Sequence, residues 1–224
     1  MSSLSRAEIC ARFRRLYLPA VSDAMYELGL PEPVLPSSLR PLLPDRSFVG
    51  IAFTLEGAEI VPPVSWDEGK VRIASYLQVF EQLTPDSVIV SKNTGSFVGH
   101  FGELTGNSAM KYGCVGVVLD GNLRDTFGLR EIGLPVFYRD VNPRNGIGRW
   151  EMVSSEQPVT IGDVTVHTGD LVMAEFDGIL VVPQQHIDAV LAKAEEIVGI
   201  EQLVRDDMRQ GVSPLEGLAR HGHI

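Results

Sequence analysis

SVIVSKNTGSFVGHFGELTGNSAMKYGCVGVVLDGNLRDTFGLREIGLPVFYRD, residues 87–140, decides how this chain folds. It opens on a short apolar strand, SVIVS (87–91), placed directly after the turn signal Thr84-Pro85-Asp86. A glycine-dotted loop, KNTGSFVGHFG (92–102), leads into the helix-like segment ELTGNSAMKYG (103–113). CVGVVLD (114–120) is a second apolar strand, NLRDTFGLREIG (122–133) a short helix, and PVFYRD (135–140) a third strand. Strands alternating with helices in this way predict a largely parallel sheet with helices packed on it.

The flanks extend that pattern. Residues 4–16 and 20–29 carry helical patterning, and the second segment, AVSDAMYELG, ends at Gly29 as a helix C-cap. The proline-rich PEPVLPSSLRPLLPDRS (31–47) reads as a structured loop, FVGIAFTLEG as a strand, and KVRIASYLQVFEQL (70–83) as a helix. Beyond the loop VNPRNGIGRW, the segment VTIGDVTVHTGDLVMAEFDGILVVP holds four short strands separated by Gly-Asp and Asp-Gly turns, Asp177-Gly178 among them. HIDAVLAKAEEIVGIEQLVRDDMRQG (186–211) is one long amphipathic helix with a stripe through Ile187, Val190, Leu191, Ala194, Ile197, Val198 and Ile200. The sequence predicts one α/β domain over residues 1–224, with a largely parallel central sheet, a β-rich second half and a long C-terminal helix.

A formal net charge of −10 argues against nucleic acid as a partner, because phosphate binding rests on clustered Lys and Arg. The sharpest basic stretch, Arg12-Phe13-Arg14-Arg15, lies at helical spacing and reads as a solvated helix face. Cys10 and Cys114 are far apart in unlike contexts, and Cys114 sits in an apolar strand as a small core thiol. The first eighteen residues, MSSLSRAEICARFRRLYL, lack the apolar stretch of a signal peptide. No run approaches the roughly 18 apolar residues of a membrane helix. A cytoplasmic protein away from the membrane is expected.

In a parallel sheet, ligands gather beyond the carboxyl ends of the strands. Two segments fall there: the loop after SVIVS and the turn after CVGVVLD. The loop offers backbone amides at Gly95, Gly99 and Gly102 and a helix start at Glu103. The turn offers Asp120, Arg124 and Asp125. If Arg124 and Asp125 lie on a helix, they point about 100° apart and pair poorly with each other. Each is then free for a third party, a carboxylate for Arg124 and a cation for Asp125. Twenty residues lie between Glu103 and Arg124, one helix and one strand, so both can reach one strand-end cleft.

At this point the chain resembles the RraA-like proteins and the class II 4-hydroxy-4-methyl-2-oxoglutarate/4-carboxy-4-hydroxy-2-oxoadipate aldolases. The matching stretches are AVSDAMYELG, HFGELTGNSAMKYGCVGVVLDGNLRD, LREIGLPVF and GDLVMAEFDGILVVP, in order across nearly the whole chain. The central block carries the specific pattern: an acid, twenty intervening residues, then Arg-Asp. The resemblance implies a layered α/β/β fold and a homotrimer or hexamer with sites between subunits. It makes Asp125 the direct ligand of Mg²⁺ or Mn²⁺, with Glu103 holding metal-bound water. It assigns Arg124 to the oxygens of a small 2-oxo acid, and the backbone near Gly102, Leu104 and Thr105 to its carboxylate. Glu201, from a neighbouring subunit's C-terminal helix, would complete the water shell, with Glu195 and Glu196 as rivals. Without that role Glu201 forms an i,i+4 ion pair with Arg205.

Glu103 departs from the aspartate often found in these aldolases, and reaches one methylene further. The family's non-enzymatic regulators of ribonuclease E tend to lose the acid after the arginine, which here is Asp125. The implied activity is lyase chemistry on a 2-oxo acid, by retro-aldol cleavage or by decarboxylation of oxaloacetate. The competing expectation is a regulator that binds a protein partner. Lys92 and Lys111 give no reason to prefer a Schiff base. His100 touches substrate or merely lines the loop, and Asp120 caps the helix starting near Leu123. Trp66 and Trp150 read as loop residues that pack, and His221-Gly222-His223 is discounted as a chelator because it stands at a chain end.

Overall fold

The computed structural model describes residues 4–94 and 97–222 of the chain. Helices α1 (Arg6–Phe13) and α2 (Leu18–Glu27) come first, then strands β1 (Arg40–Pro41) and β2 (Phe48–Glu59). Helix α3 (Trp66–Val79) leads to strands β3 (Ser87–Thr94) and β4 (Gly99–Phe101). Helix α4 (Glu103–Lys111), strand β5 (Cys114–Leu123), helix α5 (Thr126–Ile132) and strand β6 (Val136–Val141) complete the alternating half. Five strands follow: β7 (Trp150–Ser155), β8 (Val159–Ile161), β9 (Val164–Val166), β10 (Leu171–Glu175) and β11 (Gly178–Val182). Helices α6 (Ile187–Arg209) and α7 (Pro214–His221) come last.

One sheet runs in the order β1-β6-β5-β3-β2-β10-β11, with β4 added to β5 and β7 to β2. Strands β2, β3, β5 and β6 are parallel, as the strand–helix rhythm requires. The β-rich half pairs antiparallel, through β10 on β2 and β11 on β10, while β8 and β9 form a separate small sheet.

Alternate strand residues feed opposite cores. Val117 and Leu119 of β5 pack with Phe53, Leu55 and Ile89 against Tyr76 of α3, Ala109 of α4 and Leu129 of α5. Val118, with Val88 and Val90, faces the other way onto Ile161, Val164 and Val166 of the small sheet. A third cluster sets Val21 and Met25 of α2 and Val190, Leu191 and Ile197 of α6 on Met173 and Leu180. The molecule is therefore a layered α/β/β fold of the RraA-like type.

Several local expectations change. Strand β5 runs on to Leu123, so Asp120 lies within a strand and its carboxylate takes a 2.5 Å bond from Arg139 Nε instead of capping a helix. Helix α3 begins at Trp66, four residues ahead of the expected start, because the Ser65 hydroxyl caps it by accepting from the Glu68 amide. The glycine loop contains strand β4, held parallel on β5. Trp150 is a buried residue of strand β7. The C-terminal helix stops at Arg209, and α7 follows with its own Ser213–Glu216 capping box. Among the described residues, no helix is long and apolar enough to cross a membrane.

Candidate active site at the strand ends

Beyond the carboxyl ends of β3 and β5 lies a cleft of ≈ 250 Å³. Gly99, His100, Gly102, Leu104, Thr105, Arg124 and Asp125 line it, together with Ile73, Tyr76 and Leu77 of α3 and Asn145–Ile147 of the loop before β7. Seven of the sequence-predicted residues thus meet on one surface: Gly99, His100, Gly102, Leu104, Thr105, Arg124 and Asp125. Gly95 and His223 lie outside the described residues.

Arg124 and Asp125 are not helical neighbours. Asp125 takes a left-handed conformation (φ 51°, ψ 39°) at the N-cap of α5, and its side chain makes no capping bond. It turns instead to Arg124, whose Nε donates to Asp125 Oδ2 at 3.1 Å. The expectation that the two would not pair fails because the backbone reverses between strand and helix. Both side chains are partly open, 33% and 42% exposed, so the pair itself contributes little stability.

Two glycines make room for this corner. A Cβ on Gly102 would stand 2.6 Å from Asp125 Oδ2 and 2.9 Å from Arg124 Cγ. A Cβ on Gly99 would stand 2.8 Å from Arg124 Cβ and 2.4 Å from the Asn142 carbonyl oxygen. Helix α4 starts at this point, and Thr105 Oγ1 accepts from the Gly102 amide at 2.8 Å. The following first-turn amides have no intrahelical acceptor and present a positive dipole end toward the cleft.

His100 is buried, 6% exposed, and stacks on Trp150 with ring centroids 4.7 Å apart and 15° between planes. Both ring nitrogens are shut off from solvent, and the Val98 backbone lies within hydrogen-bonding reach of the ring. Burial pushes its pKa down to about 3, against a smaller upward push from the Val98 backbone. Trp150 is itself fixed, with Tyr76 packed edge-on at 4.8 Å and Nε1 donating to Asn93 Oδ1 at 3.1 Å.

Glu103 stands beside the cleft and is not part of its lining. Its Oε1 accepts from Asn107 Nδ2 at 2.6 Å, and its stem crosses the space in front of Gly128. Glu201 lies on α6, where Arg205 Nη2 holds it at 2.5 Å and also reaches the Tyr17 hydroxyl at 3.1 Å. Its rivals are engaged too, Glu195 with Arg12 and Glu196 with Lys193. Lys92 pairs with Glu56 at 3.1 Å and Lys111 lies over the Tyr112 ring, so neither presents an amine to the cleft. His221 bonds Asp207 at 3.1 Å.

The sequence did not reveal the α3 wall or the Asn145–Ile147 loop as parts of the site. The asparagine- and glycine-rich NPRNGIG stretch was a usable signal, while Ile73, Tyr76 and Leu77 lie in a stretch that reads only as a helix. Asp125 is the one acidic side chain in the cleft lining, and among the described residues no three His, Cys, Asp or Glu groups converge on a point. A single carboxylate beside water suits Mg²⁺, which sheds water reluctantly, and does not suit a closed protein cage.

The family model described as Aldolase/RraA, RraA-like, matches residues 18–181. A protein of Halalkalibacterium halodurans provisionally named 4-hydroxy-4-methyl-2-oxoglutarate aldolase is 30% identical over 200 residues, 86% of each chain. Protein DlpA of Legionella pneumophila is 26% identical over 192 residues, 85% of this chain but only 30% of DlpA. The crystal structure of Streptomyces coelicolor RraAS2, described as an unusual member of the RNase ES inhibitor RraA protein family, superposes with a TM-score of 0.76 at 26% identity. That match covers 92% of this chain and 99% of the other.

Proposed function

The chain belongs to the RraA-like family, and from that premise we propose that the strand-end cleft cleaves a carbon–carbon bond in a 2-oxo acid, releasing pyruvate. The observation that carries this reading is the convergence of Arg124, Asp125 and the first turn of α4 on one small cleft. The amides near Leu104 and Thr105 would receive the substrate carboxylate, as helix N-termini receive anions. The Arg124 guanidinium would face the 2-oxo oxygen and stabilise the negative charge that develops there. Asp125 would hold Mg²⁺ or Mn²⁺, which when bound polarises that same oxygen as a Lewis acid. In a 4-hydroxy-2-oxo acid the C4 hydroxyl loses its proton, the C3–C4 bond breaks, and C4 leaves as a carbonyl. The electron pair left on C3 is shared with the 2-oxo oxygen as an enolate, and protonation of C3 gives pyruvate. Loss of CO₂ from oxaloacetate leaves the same enolate. Glu103 would handle these protons through water once its side chain turns from Asn107.

The assembly would be a homotrimer or hexamer, with Glu201 reaching a neighbour's cleft. Leu104 and Phe127, 79% and 85% exposed near the cleft, support burial against another copy.

A second reading is a non-enzymatic regulator binding a protein such as a ribonuclease. It is favoured by the lone acid in the cleft, by the engagement of Glu103 with Asn107, and by the likeness to RraAS2. Coupled detection of pyruvate from oxaloacetate, 4-hydroxy-4-methyl-2-oxoglutarate and 4-hydroxy-2-oxopentanoate, with Mg²⁺ and with EDTA, separates the two. The lyase reading expects release from at least one substrate, lost with EDTA and in Arg124→Ala and Asp125→Ala. No release from any of the three refutes it and leaves the regulator reading, tested next by inhibition of an RNase E-type enzyme.

A further inference from the structure

The inner wall of the cleft carries a hydroxyl that packing does not explain. Tyr76 of α3 is 2% exposed, with Phe80 edge-on at 5.1 Å and Trp150 edge-on at 4.8 Å. Phenylalanine would make the same ring contacts, as Phe80 does one turn later, without a polar group to desolvate. Burial alone holds the Tyr76 pKa up, with no hydrogen bond acting on it. The His100 nitrogens are sealed from solvent, whereas the Tyr76 hydroxyl is neither sealed nor bonded to a described residue. It therefore opens on the cleft that its residue lines.

Buried polar groups in native proteins are nearly always matched, and a ligand is one way to match this one. The described lining holds two hydroxyls, and Thr105 Oγ1 is already closed on Gly102, accepting from its amide and donating to its carbonyl at 2.8 Å. On the lyase reading, the first turn of α4 and Arg124 would hold C1 and C2 of the substrate. The chain beyond C2 would then extend toward the lining that remains, the α3 wall and the Asn145–Ile147 loop. A cation at Asp125 would meet the 2-oxo oxygen and leave the C4 oxygen without a donor. Glu103, or a Glu201 arriving from a neighbouring copy, accepts hydrogen bonds when ionised and cannot donate one.

Resting on that reading, we infer that Tyr76 is a catalytic residue of the retro-aldol step, its hydroxyl donating a hydrogen bond to the substrate's C4 oxygen. In that step the C4 hydroxyl proton leaves to water beside Glu103, and C4–O becomes a carbonyl as C3–C4 breaks. The C3–C4 electron pair passes to C3 and the 2-oxo oxygen as the enolate, which then takes a proton at C3. Tyr76 keeps its own proton throughout. Its hydrogen bond strengthens while negative charge sits on the C4 oxygen, so it favours the transition state over the bound substrate. Forming the enolate from pyruvate itself involves no C4 oxygen, and Tyr76 has no part in it.

Tyr76→Phe keeps the ring and removes only the hydroxyl, and two rates compare it with the wild type on the full chain with Mg²⁺. Pyruvate release from 4-hydroxy-4-methyl-2-oxoglutarate and 4-hydroxy-2-oxopentanoate reports cleavage. Deuterium uptake at the methyl group of pyruvate in D₂O reports enolate formation alone. In the variant, kcat/KM for cleavage is expected to fall by about 10–100-fold, while deuterium uptake changes less than about twofold. Its Tm is expected to hold or rise, because an unpaired hydroxyl adds no stability.

Cleavage at the wild-type rate in Tyr76→Phe overturns the inference and leaves the lyase reading standing. Equal losses of cleavage and deuterium uptake overturn it too, because they place the effect at the enolate or in the fold. A Tm drop beyond about 4 °C does the same, showing that the hydroxyl already has a partner inside the folded protein. Pyruvate release by the wild type from oxaloacetate alone keeps the lyase reading and removes this role for Tyr76. No release from any of these substrates removes both.

Discussion

Replacing Gly102 by alanine tests whether the Arg124–Asp125 corner governs turnover. The backbone there is extended (φ −150°, ψ −168°), so alanine adds no dihedral strain. Its entropic effect on the unfolded chain stabilises by about 0.4–1 kcal/mol. The added Cβ, however, would stand 2.6 Å from Asp125 Oδ2 and 2.9 Å from Arg124 Cγ. Ordinary contact needs about 3.5 Å, so both side chains move by roughly 0.5–1 Å. Moving them disrupts the 3.1 Å bond between Arg124 and Asp125, a half-exposed pair worth at most about 1 kcal/mol. Gain and loss nearly cancel, and Tm should shift by less than about 4 °C. Catalysis is less forgiving, since a misplacement near 1 Å can cost on the order of 10²-fold. A pyruvate-release assay with a thermal melt of the same sample should therefore show kcat/KM falling by about that factor in a folded protein. Wild-type kcat/KM in Gly102→Ala would refute the reasoning. A Tm drop beyond about 10 °C would show instead that the glycine serves the fold.

Three further outcomes follow from the geometry. His100, pushed down to about 3 by burial, stays neutral in the folded state while an unfolded histidine titrates near 6.5. The unfolded state thus binds more protons in that window, so stability is full above about 6.5 and falls as pH drops toward about 3. Chemical denaturation at pH 7 and pH 5 should show a loss on the order of 1–2 kcal/mol that His100→Gln lacks, and an identical pH slope in the two proteins would be the contrary result. Trp150→Ala should cost about 3–5 kcal/mol in urea denaturation, since the indole is 2% exposed and holds both His100 and Tyr76; a loss below about 1 kcal/mol would contradict that packing. Glu103→Gln should lower kcat by about 10²-fold with KM nearly unchanged if its carboxylate handles protons. An unchanged kcat would confine Glu103 to its contact with Asn107.

The alternating middle of the chain was legible because each local signal agreed with the others. SVIVS and CVGVVLD are too short and apolar to be anything but buried strands once helices with clean ends separate them. The faces of β5 also follow from period two, with Val117 and Leu119 on one side and Val118 on the other. The strand ends were harder to read. Asp120-Gly121-Asn122 looks like a turn, yet the strand continues to Leu123 because β4 and β6 both supply partners to it there. Such pairing comes from residues far away in sequence and leaves no local mark. Ser65 with Glu68 did leave one, a serine three residues before an acid, and it explains the early start of α3. The cleft divides in the same manner. Arg124 and Asp125 were found by their place after a strand, whereas the wall from α3 and the stack of Trp150 on His100 arise only in three dimensions.

Asp125 shows why the corner is more than a surface turn. An aspartate at a helix N-cap ordinarily accepts a first-turn amide and adds roughly 0.5–2 kcal/mol. Here it forgoes that bond and adopts a left-handed backbone, a conformation that costs a non-glycine residue about 1–3 kcal/mol, though aspartate tolerates it better than most. The ion pair it forms with Arg124 is half-exposed and too weak to repay both losses. Gly102, meanwhile, leaves a space filled by the carboxylate itself, so three elements are arranged around one oxygen pair. A turn selected only for stability would place glycine or asparagine at such a backbone and let the next residue cap the helix. The combination makes sense when the carboxylate must face the cleft instead of its own helix. Arg124 follows from the same constraint: its Nε is taken up by Asp125 at 3.1 Å, which fixes the guanidinium plane and, on the proposed lyase reading, would leave the Nη groups for the substrate's oxygen.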